Sequence, residues 1–358
     1  MYLVLNTLYL QLLMLLIRNT KEKSVYFFSM MITKIINRNK NVRSYSFKKI
    51  LCIRQDEIGD LCYSLHVFKS LKKQYPTAKI TLLCKPFAIP LVKNDPDIYK
   101  TTTGWNELTH DYDLIVDLRG SWKSNWYALK HRPKIRFDRG TVRYRNKMKG
   151  THPHEVITNL QVIEPLLDEE NKILNPRIFF AAGELEKVNQ FLSVNNIQSF
   201  AVLHTGARRE LRRWPLKNFA ALASYLKEKE QLDIIFCGDK SDVESIEELK
   251  SGIPFKTFSV AGDFSLIEFA ALVSNANLFV GNESGPLHIA SVAGALSLGL
   301  FGPGEPHVFY PYGKKTAFLH HVLECNPCDQ VHCVHPENPC IQRITMEEVK
   351  EKVEWLLS

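Results

Sequence analysis

The sequence predicts an α/β protein with two domains, each a doubly wound parallel sheet. At 358 residues, 45% of them hydrophobic, the chain is long enough for two full cores. Short apolar runs alternate with segments of helical periodicity, which is typical of parallel sheets covered by helices. The stretch Asn171 to Leu185 carries Pro176 and Gly183 and separates two halves. The expected division is a membrane-associating segment 1–47, a domain 48–180 and a domain 181–358.

Seven apolar runs have the composition of strands that are buried on both faces of a sheet. In chain order they are Ile50–Ile53, Ile80–Cys84, Leu114–Leu118, Phe200–His204, Ile234–Cys237, Leu278–Gly281 and Leu296–Phe301. Helical stripes between them are Leu61, Leu65, Phe68 and Leu71; Phe219, Leu222 and Leu226; and Leu266, Phe269, Ala270 and Val273. A closing amphipathic helix is predicted over Ile344 to Leu356. Ligands of such folds bind beyond the carboxyl ends of the strands, so the motifs that follow the runs are the candidate sites.

The N-terminal segment predicts contact with a membrane. Residues 1–17 are almost wholly apolar, and Lys and Arg residues together with Tyr26, Phe27 and Phe28 follow them. A signal peptide is excluded because no basic region precedes the apolar run and no small-residue cleavage site follows it. The run is also shorter than the about 20 residues of a spanning helix. An interfacial anchor fits best, with a spanning helix or a helix packed on the protein as alternatives.

The excess of positive charge behind the net charge of +8 lies in two basic segments. Residues 1–50 hold nine Lys or Arg against Glu22, and residues 121–150 hold ten against Asp138, so the remainder of the chain is net acidic. This distribution argues against a nucleic-acid partner, because the body of the protein carries no general excess of positive charge. The second segment either meets an acidic ligand or forms a solvated, mobile loop.

Asp60 is the candidate general base. It follows Gly59 where the first strand passes into the first helix, and a carboxylate placed there can take a proton from a hydroxyl group. The alternative is an ordinary N-cap aspartate.

Two later junctions predict anion binding. His204–Pro215 runs from a strand through Thr205 and Gly206 into a group of arginines, whose planar donor groups suit a diphosphate. Val280–Ala290 runs from a strand into a helix start, where unpaired amides and the helix dipole favour negative charge. A solvated charge run and a plain helix start are the alternatives.

Six segments together resemble the heptosyltransferase-like glycosyltransferases of family 9. They are Ile58–Asp60, Leu71–Pro76, Asp113–Leu118, His204–Ala207 with Arg213–Pro215, and Gly281–His288, and the resemblance spans about residues 48 to 350. It implies a GT-B architecture, with two Rossmann-like domains facing a cleft. It also implies inverting transfer of a sugar from a nucleotide donor, with no metal and no cofactor. The enzyme would then be cytoplasmic and peripheral on the inner face of the bacterial inner membrane.

The resemblance also implies roles for individual residues. Asp60 matches the catalytic base, and Glu283 stands where the family usually has Asp. The predicted donor-binding residues are Thr205, Gly206, Ala207, Arg208, Arg209, Arg212, Glu283, Ser284, Gly285, Pro286 and His288. The donor would be ADP-heptose, and Arg139 and Arg143 would bind an acidic glycolipid acceptor such as the inner core of a lipopolysaccharide. A nucleotide-sugar epimerase and a non-catalytic protein that binds anions are the alternatives.

The cysteines fall into two groups of four. Cys52, Cys62, Cys84 and Cys237 lie in apolar patterns and are expected in the core. Cys325, Cys328, Cys333 and Cys340 cluster with His332 and His335, and either a structural zinc, reduced thiols or occasional disulfides would suit this group. The site prediction itself includes no metal.

Overall fold

A computed structural model describes residues 23–326 and 328–358. This part of the chain forms two compact units, residues 23–179 (the N-terminal unit) and Phe180–Ser358 (the C-terminal unit). The apolar segment 1–17, with its predicted anchoring role, lies outside the described residues. Within the described ranges, no helix has the length and apolar character needed to cross a bilayer.

The N-terminal unit is a five-stranded parallel sheet with helices around it. Its strands are β1 (Lys49–Arg54), β2 (Lys79–Cys84), β3 (Lys100–Thr102), β4 (Leu114–Asp117) and β5 (Ile135–Asp138). Its helices are α1 (23–36), α2 (Ile58–Cys62), α3 (Leu65–Gln74), α4 (Ile89–Val92), α5 (Trp122–His131), α6 (Arg139–Met148) and α7 (Glu155–Ile163). The strand order β3-β2-β1-β4-β5 reverses between β1 and β4, which is where doubly wound sheets bind ligands.

The C-terminal unit repeats this topology with one more strand. Its strands are β6 (Phe200–His204), β7 (Asp233–Cys237), β8 (Phe258–Ser259), β9 (Leu278–Asn282), β10 (Ser297–Phe301) and β11 (Thr316–His320). Its helices are α8 (Ala182–Val194), α9 (Leu216–Lys229), α10 (Val243–Ser251), α11 (Leu266–Ser274), α12 (Gly285–Ala293), α13 (Pro306–Phe309) and α14 (Met346–Leu357). The order β11-β10-β9-β6-β7-β8 places the reversal between β6 and β9.

The apolar runs form the central strands because a parallel sheet covered on both faces excludes water from every side chain. All seven predicted strands are observed, and Ile50–Ile53 of β1 are fully buried. The four strands that were not predicted, β3, β5, β8 and β11, are the sheet edges. Their sequences lack a continuous apolar run, so the pattern of a doubly buried strand is missing from them.

The helical stripes are also observed, with one difference. The stripe that begins at Leu61 is divided at Tyr63 and Ser64 into α2 and α3. The closing helix α14 begins with a capping box between Thr345 and Glu348, and its buried side chains pack into the core of the C-terminal unit.

The basic segment 121–150 is not a solvated loop, so that alternative is wrong. It forms α5, β5 and α6, and the Arg136 side chain is fully buried. Arg136 donates to Asp117 at 3.0 Å and to Thr33 of α1 at 2.6 Å. Burying a charge without partners would be very costly, so these acceptors are what allow Arg136 to lie inside the unit.

The cysteines are all unpaired, and the first group of four is buried as expected. Among the residues that the structure describes, no three His, Cys, Asp or Glu side chains are arranged to hold a metal ion.

Candidate functional site

Asp60 lies where the strand order of the N-terminal unit reverses. It follows β1 in the first turn of α2, and its side chain is 19% exposed. The carboxylate accepts a hydrogen bond from Arg139 Nη1 at 3.1 Å, and Arg54 Nη2 lies 3.7 Å from it. Glu57 holds the N-cap position, so the N-cap interpretation of Asp60 is wrong. The carboxylate is thus held in place by cations while it keeps contact with solvent.

Glu155 is the buried centre of this cluster and was not predicted from the sequence. It is the first residue of α7 and is fully buried. Its oxygens contact Arg139 at 2.6 Å, Arg143 at 2.8 Å and Arg54 at 3.2 Å. Burial alone would raise the pKa of its carboxyl, but the three guanidinium groups outweigh burial and hold that pKa well below the usual range. Glu155 is therefore an anion at neutral pH, and it fixes the arginines around Asp60.

Arg54 fixes the backbone at Asp60. Its side chain is buried, and its Nε and Nη2 atoms donate to the Asp60 carbonyl at 2.9 and 2.6 Å. Asp56 also contacts this group, at 3.2 Å from Arg54 and 3.5 Å from Arg119. The cluster places four guanidinium groups against three carboxylates, and this leaves one net positive charge. The arginines are Arg54, Arg119, Arg139 and Arg143, and the acids are Asp56, Asp60 and Glu155.

The two predicted acceptor-binding residues lie inside this cluster. Arg139 is nearly buried against Asp60 and Glu155, and Arg143 is partly exposed between Glu155 and Tyr26 of α1. Both arginines therefore contribute positive charge to the site, although Arg139 is nearly buried and Arg143 is only partly exposed.

The sequence holds one signal for the buried centre of the cluster. Glu155 is an acid at the start of a mostly apolar helix, and such an acid is expected to need a buried cation as its partner.

In the C-terminal unit, Asn282 joins the two predicted anion-binding segments. His204 at the end of β6 is paired with Gly281 of β9. Asn282 Nδ2 donates to the Thr205 carbonyl at 2.8 Å and the Gly206 carbonyl at 3.3 Å, and its Oδ1 accepts from the Trp214 amide at 3.0 Å. The structure therefore brings both segments to the strand reversal, as predicted for a shared site. Asn282 was not among the predicted site residues.

The N-terminus of α12 is not capped by a side chain. Ser284 occupies the N-cap position, but its hydroxyl contacts the Asn282 carbonyl at 3.0 Å and His204 Nδ1 at 3.2 Å. Gly285 and Pro286 form the first turn, and His288 is buried behind them. Burial lowers the pKa of His204 to about 4, so this ring is neutral at physiological pH. The first amides of α12 are left without a side-chain cap, which suits an anionic ligand.

Glu283 and Arg212 form an ion pair beside this helix start. Arg212 Nη1 lies 3.2 Å from Glu283 Oε1, and the other side of the guanidinium donates to Gln330 at 2.8 Å. The carboxyl is nearly buried, and its Oε2 has no hydrogen-bond partner. A side chain at Gly304 would overlap this oxygen, because its Cβ would lie well inside van der Waals contact with it. Burial raises the pKa of Glu283 to about 7, although Arg212 opposes the rise.

The remaining predicted arginines differ in exposure. Arg208 and Arg209 are exposed on the loop after β6, whereas the neighbouring Ala207 is buried. The Ala207 carbonyl accepts a hydrogen bond from Arg213 at 2.9 Å, which holds the loop in shape. Arg208 and Arg209 are therefore open to solvent, whereas the side chain of Arg212 is held between Glu283 and Gln330.

Comparison with known proteins matches most of the chain to a family of known proteins. Residues 104–338 match the family described as glycosyltransferase family 9 (heptosyltransferase). Lipopolysaccharide heptosyltransferase 3 of Escherichia coli is 26% identical over 282 residues, covering 70% of this chain and 82% of that protein. Lipooligosaccharide heptosyltransferase 2 of Campylobacter jejuni is 24% identical over 303 residues, covering 83% and 89%.

Solved structures agree with the fold. A glycosyltransferase of family 9 from Veillonella parvula superposes with a TM-score of 0.73 at 19% identity, covering 88% of this chain and 99% of that one. The E. coli ADP-heptose lipopolysaccharide heptosyltransferase II superposes with a TM-score of 0.67 at 21% identity, covering 86% and 98%. The predicted α/β class of the GT-B type is confirmed.

Proposed function

Because the chain belongs to glycosyltransferase family 9, and is therefore a glycosyltransferase, we propose that it transfers a heptose from ADP-heptose to an acidic lipopolysaccharide inner core. The epimerase and the non-catalytic alternatives fall away with the family assignment. The observation that carries the proposal is Asp60, a partly exposed carboxylate held by Arg139 and Arg54 at the strand reversal.

In the proposed reaction, an acceptor hydroxyl attacks the anomeric carbon of the donor. Asp60 takes the hydroxyl proton, the new C–O bond forms, and the bond to the diphosphate breaks, so that ADP leaves. Attack from the side opposite the leaving group inverts the anomeric configuration. The chemistry requires a base at the acceptor and a stabilised anion at the leaving group.

The C-terminal unit supplies groups for the leaving diphosphate. The uncapped start of α12 offers backbone amides, and Arg208, Arg209 and Arg212 offer positive charge on the adjoining loop. Fixed dipoles and charges of this kind act on the developing negative charge without having to reorganise during the reaction. These groups support the proposed role of the C-terminal unit in donor binding.

The charge of the Asp60 cluster supports the proposed acceptor. Its four guanidinium groups exceed its three carboxylates, which favours a ligand that bears phosphate or carboxylate groups. An inner-core glycolipid has this character, and its lipid anchor accords with a peripheral position on the inner face of the bacterial inner membrane. The apolar and basic composition of residues 1–50 supports that position.

Glu283 gives the donor proposal a pH signature. Its pKa of about 7 means that the carboxyl is neutral at lower pH and anionic at higher pH. The anion offsets the charge of Arg212 and repels a diphosphate. We therefore expect the affinity for ADP-heptose, measured by calorimetric titration, to fall about three- to tenfold as the pH rises through 7. The diphosphate of a nucleotide sugar does not titrate in this range, so the protein is the source of the change.

The matched variant is Glu283→Gln, which keeps the shape and cannot ionise. We expect its affinity for ADP-heptose to stay constant across the same pH range. Equal pH dependence in the variant and the wild type would contradict the role of Glu283. Tighter binding of UDP-glucose than of ADP-heptose by the wild type would contradict the proposed donor.

A further inference from the structure

Helix α1 carries large apolar side chains on the face that points away from the protein. Ile32 and Ile36 face the core, and Ser29 and Thr33 are buried beside them. On the outer face Phe27 is 47%, Phe28 38%, Met31 41% and Ile35 62% exposed. Large apolar side chains on two opposite faces of a helix are typical of a helix that buries both faces, in protein or in lipid. In the described part of the chain, these four side chains stay partly open to solvent.

The orientation of α1 is set by polar contacts on its inner face. Ser29 donates to Asn125 Oδ1 at 3.0 Å, and Thr33 donates to Asp138 at 2.6 Å. The buried Arg136 donates to Thr33 and to the Ser29 carbonyl. If the helix rotated to bury its aromatic side chains, the buried Arg136 and Asp138 would lose their hydrogen bonds to Thr33. The outward position of the apolar face is therefore a stable feature of the fold.

Helix α5 extends the same surface. Trp122 and Trp126 lie one turn apart on its outer face and are 53% and 71% exposed. The ring of Trp122 lies 4.8 Å from that of Phe28, so the two stripes are continuous. Phe27 in turn contacts Tyr144 of α6, with ring centroids 5.8 Å apart. Exposed apolar area that is contiguous in this way marks a binding surface.

Positive charge surrounds this surface. Exposed cations on the three helices and just after them are Lys23, Lys34, Arg38, Lys123, Lys130, Arg132, Arg145 and Lys149. The segments 23–50 and 121–150 contain one acid, Asp138, and it is buried. Protein interfaces are depleted in lysine, whereas aromatic residues ringed by lysine and arginine are typical of surfaces that lie on anionic lipid.

We infer that Phe27, Phe28, Met31, Ile35, Trp122 and Trp126 form a surface, here called the aromatic face, that docks on an anionic lipid bilayer. The inference rests on the proposed function, because a lipid-anchored acceptor requires the enzyme at the membrane. The apolar residues 1–17 precede α1 in the sequence and are separated from it by the five polar residues 18–22.

The aromatic face also lies close to the Asp60 cluster within the N-terminal unit. Arg143 Nη1 donates to the Tyr26 hydroxyl of α1 at 3.2 Å, and its Nη2 donates to Glu155 at 2.8 Å. Docking of this face therefore brings the acceptor side of the reaction to the lipid surface. The expected result is a preference for acceptors embedded in a bilayer.

Quenching of tryptophan fluorescence by brominated lipid tests the docking directly. The full chain would be mixed with vesicles of brominated phosphatidylcholine, with and without phosphatidylglycerol. We expect strong quenching that requires the anionic lipid and is lost in the double variant Trp122→Phe and Trp126→Phe. The matched control is Trp355→Phe, because Trp355 is 52% exposed on α14 of the other unit, and this variant should be quenched like the wild type.

A second variant measures the contribution of the aromatic face to binding. Replacing Trp122 and Trp126 by Ser should lower the vesicle partition coefficient about tenfold, because the binding strength follows the apolar area that enters the lipid. Equal quenching in the wild type and the double Phe variant would overturn the inference. So would a dimer of the full chain that dissociates on the Ser substitutions while the wild type shows no lipid quenching, since the face would then bind a second copy.

Failure of the docking and failure of the proposed function are distinguishable. The double Ser variant should transfer sugar to a delipidated, water-soluble inner-core acceptor at the wild-type rate and lose rate only on the bilayer-embedded acceptor. Absence of transfer to either acceptor by the wild type, with quenching intact, would reject the proposed function and leave the docking surface standing. Unchanged rates of the variant on both acceptors would reject the docking surface alone.

Discussion

Replacing Asp60 by Asn should lower kcat for sugar transfer about 10²- to 10⁴-fold and leave the affinity for the donor unchanged. The amide has nearly the same shape but cannot take the proton of the acceptor hydroxyl. Arg139 keeps its contact with Glu155 in the variant, so the surrounding cluster retains its central anion. The measurement is the initial rate of ADP release with donor and acceptor present, together with a calorimetric titration with ADP-heptose.

Asp56→Asn is the matched control. Asp56 leaves the same strand end, its side chain is 15% exposed, and it pairs with Arg54 at 3.2 Å and Arg119 at 3.5 Å. Its loss changes the charge of the cluster by the same amount but removes no base, so the effect on kcat should be much smaller. A wild-type rate for Asp60→Asn, or equal losses in both variants, would show that Asp60 is not the base.

Replacing Glu155 by Gln should lower the free energy of unfolding by about 3 to 5 kcal/mol at neutral pH, because it leaves buried guanidinium groups without their shared anion. The pKa of Glu155 is depressed in the folded state, so its contribution is present above the ordinary glutamate value of 4.5 and is lost as the pH falls below it. The difference between wild type and variant should therefore shrink in acid. Urea unfolding at neutral and acidic pH measures this difference.

Glu164→Gln serves as the comparison for this stability effect. Glu164 pairs with Lys172 at 2.9 Å on the surface, where its side chain is 49% exposed. Such a pair contributes about 0 to 1 kcal/mol, so the variant should unfold almost like the wild type. Similar losses in the two variants would mean that the buried cluster is no more important than a surface ion pair.

The central strands could be predicted because burial on both faces leaves a direct trace in the sequence. The edge strand β5 shows why the edge strands could not be predicted in this way. It contains the buried Arg136 and Asp138, which lie 3.2 Å apart as an ion pair and share Thr33 as a hydrogen-bond partner, and Arg136 also pairs with Asp117. A strand with two buried charges does not have the apolar pattern of a strand. Local pattern reflects local burial, whereas these charges are buried by partners that are distant in the chain.

The candidate site, too, was predicted from the sequence only in part. The loops with Asp60, Thr205 and Ser284 were predicted, because glycine, small polar residues and a strand end occur together in the sequence. The contacts of Glu155 were not, since it meets Arg54 from 101 residues away, and only the folded sheet brings the two together. For α1, apolar residues on both faces of the helix leave its orientation undecided until the partners of Arg136 are known.

The most direct test of the proposed function is a transfer assay with the purified full chain. ADP-heptose and a heptose-deficient, phosphorylated inner-core lipopolysaccharide would be incubated with a chelator present, and the acceptor would be analysed by mass spectrometry. The expected result is a gain of one heptose with release of one equivalent of ADP, and no such gain from UDP-glucose or GDP-mannose. Sugar transfer from UDP-glucose or GDP-mannose but not from ADP-heptose, or release of ADP with an unchanged acceptor, would contradict the account.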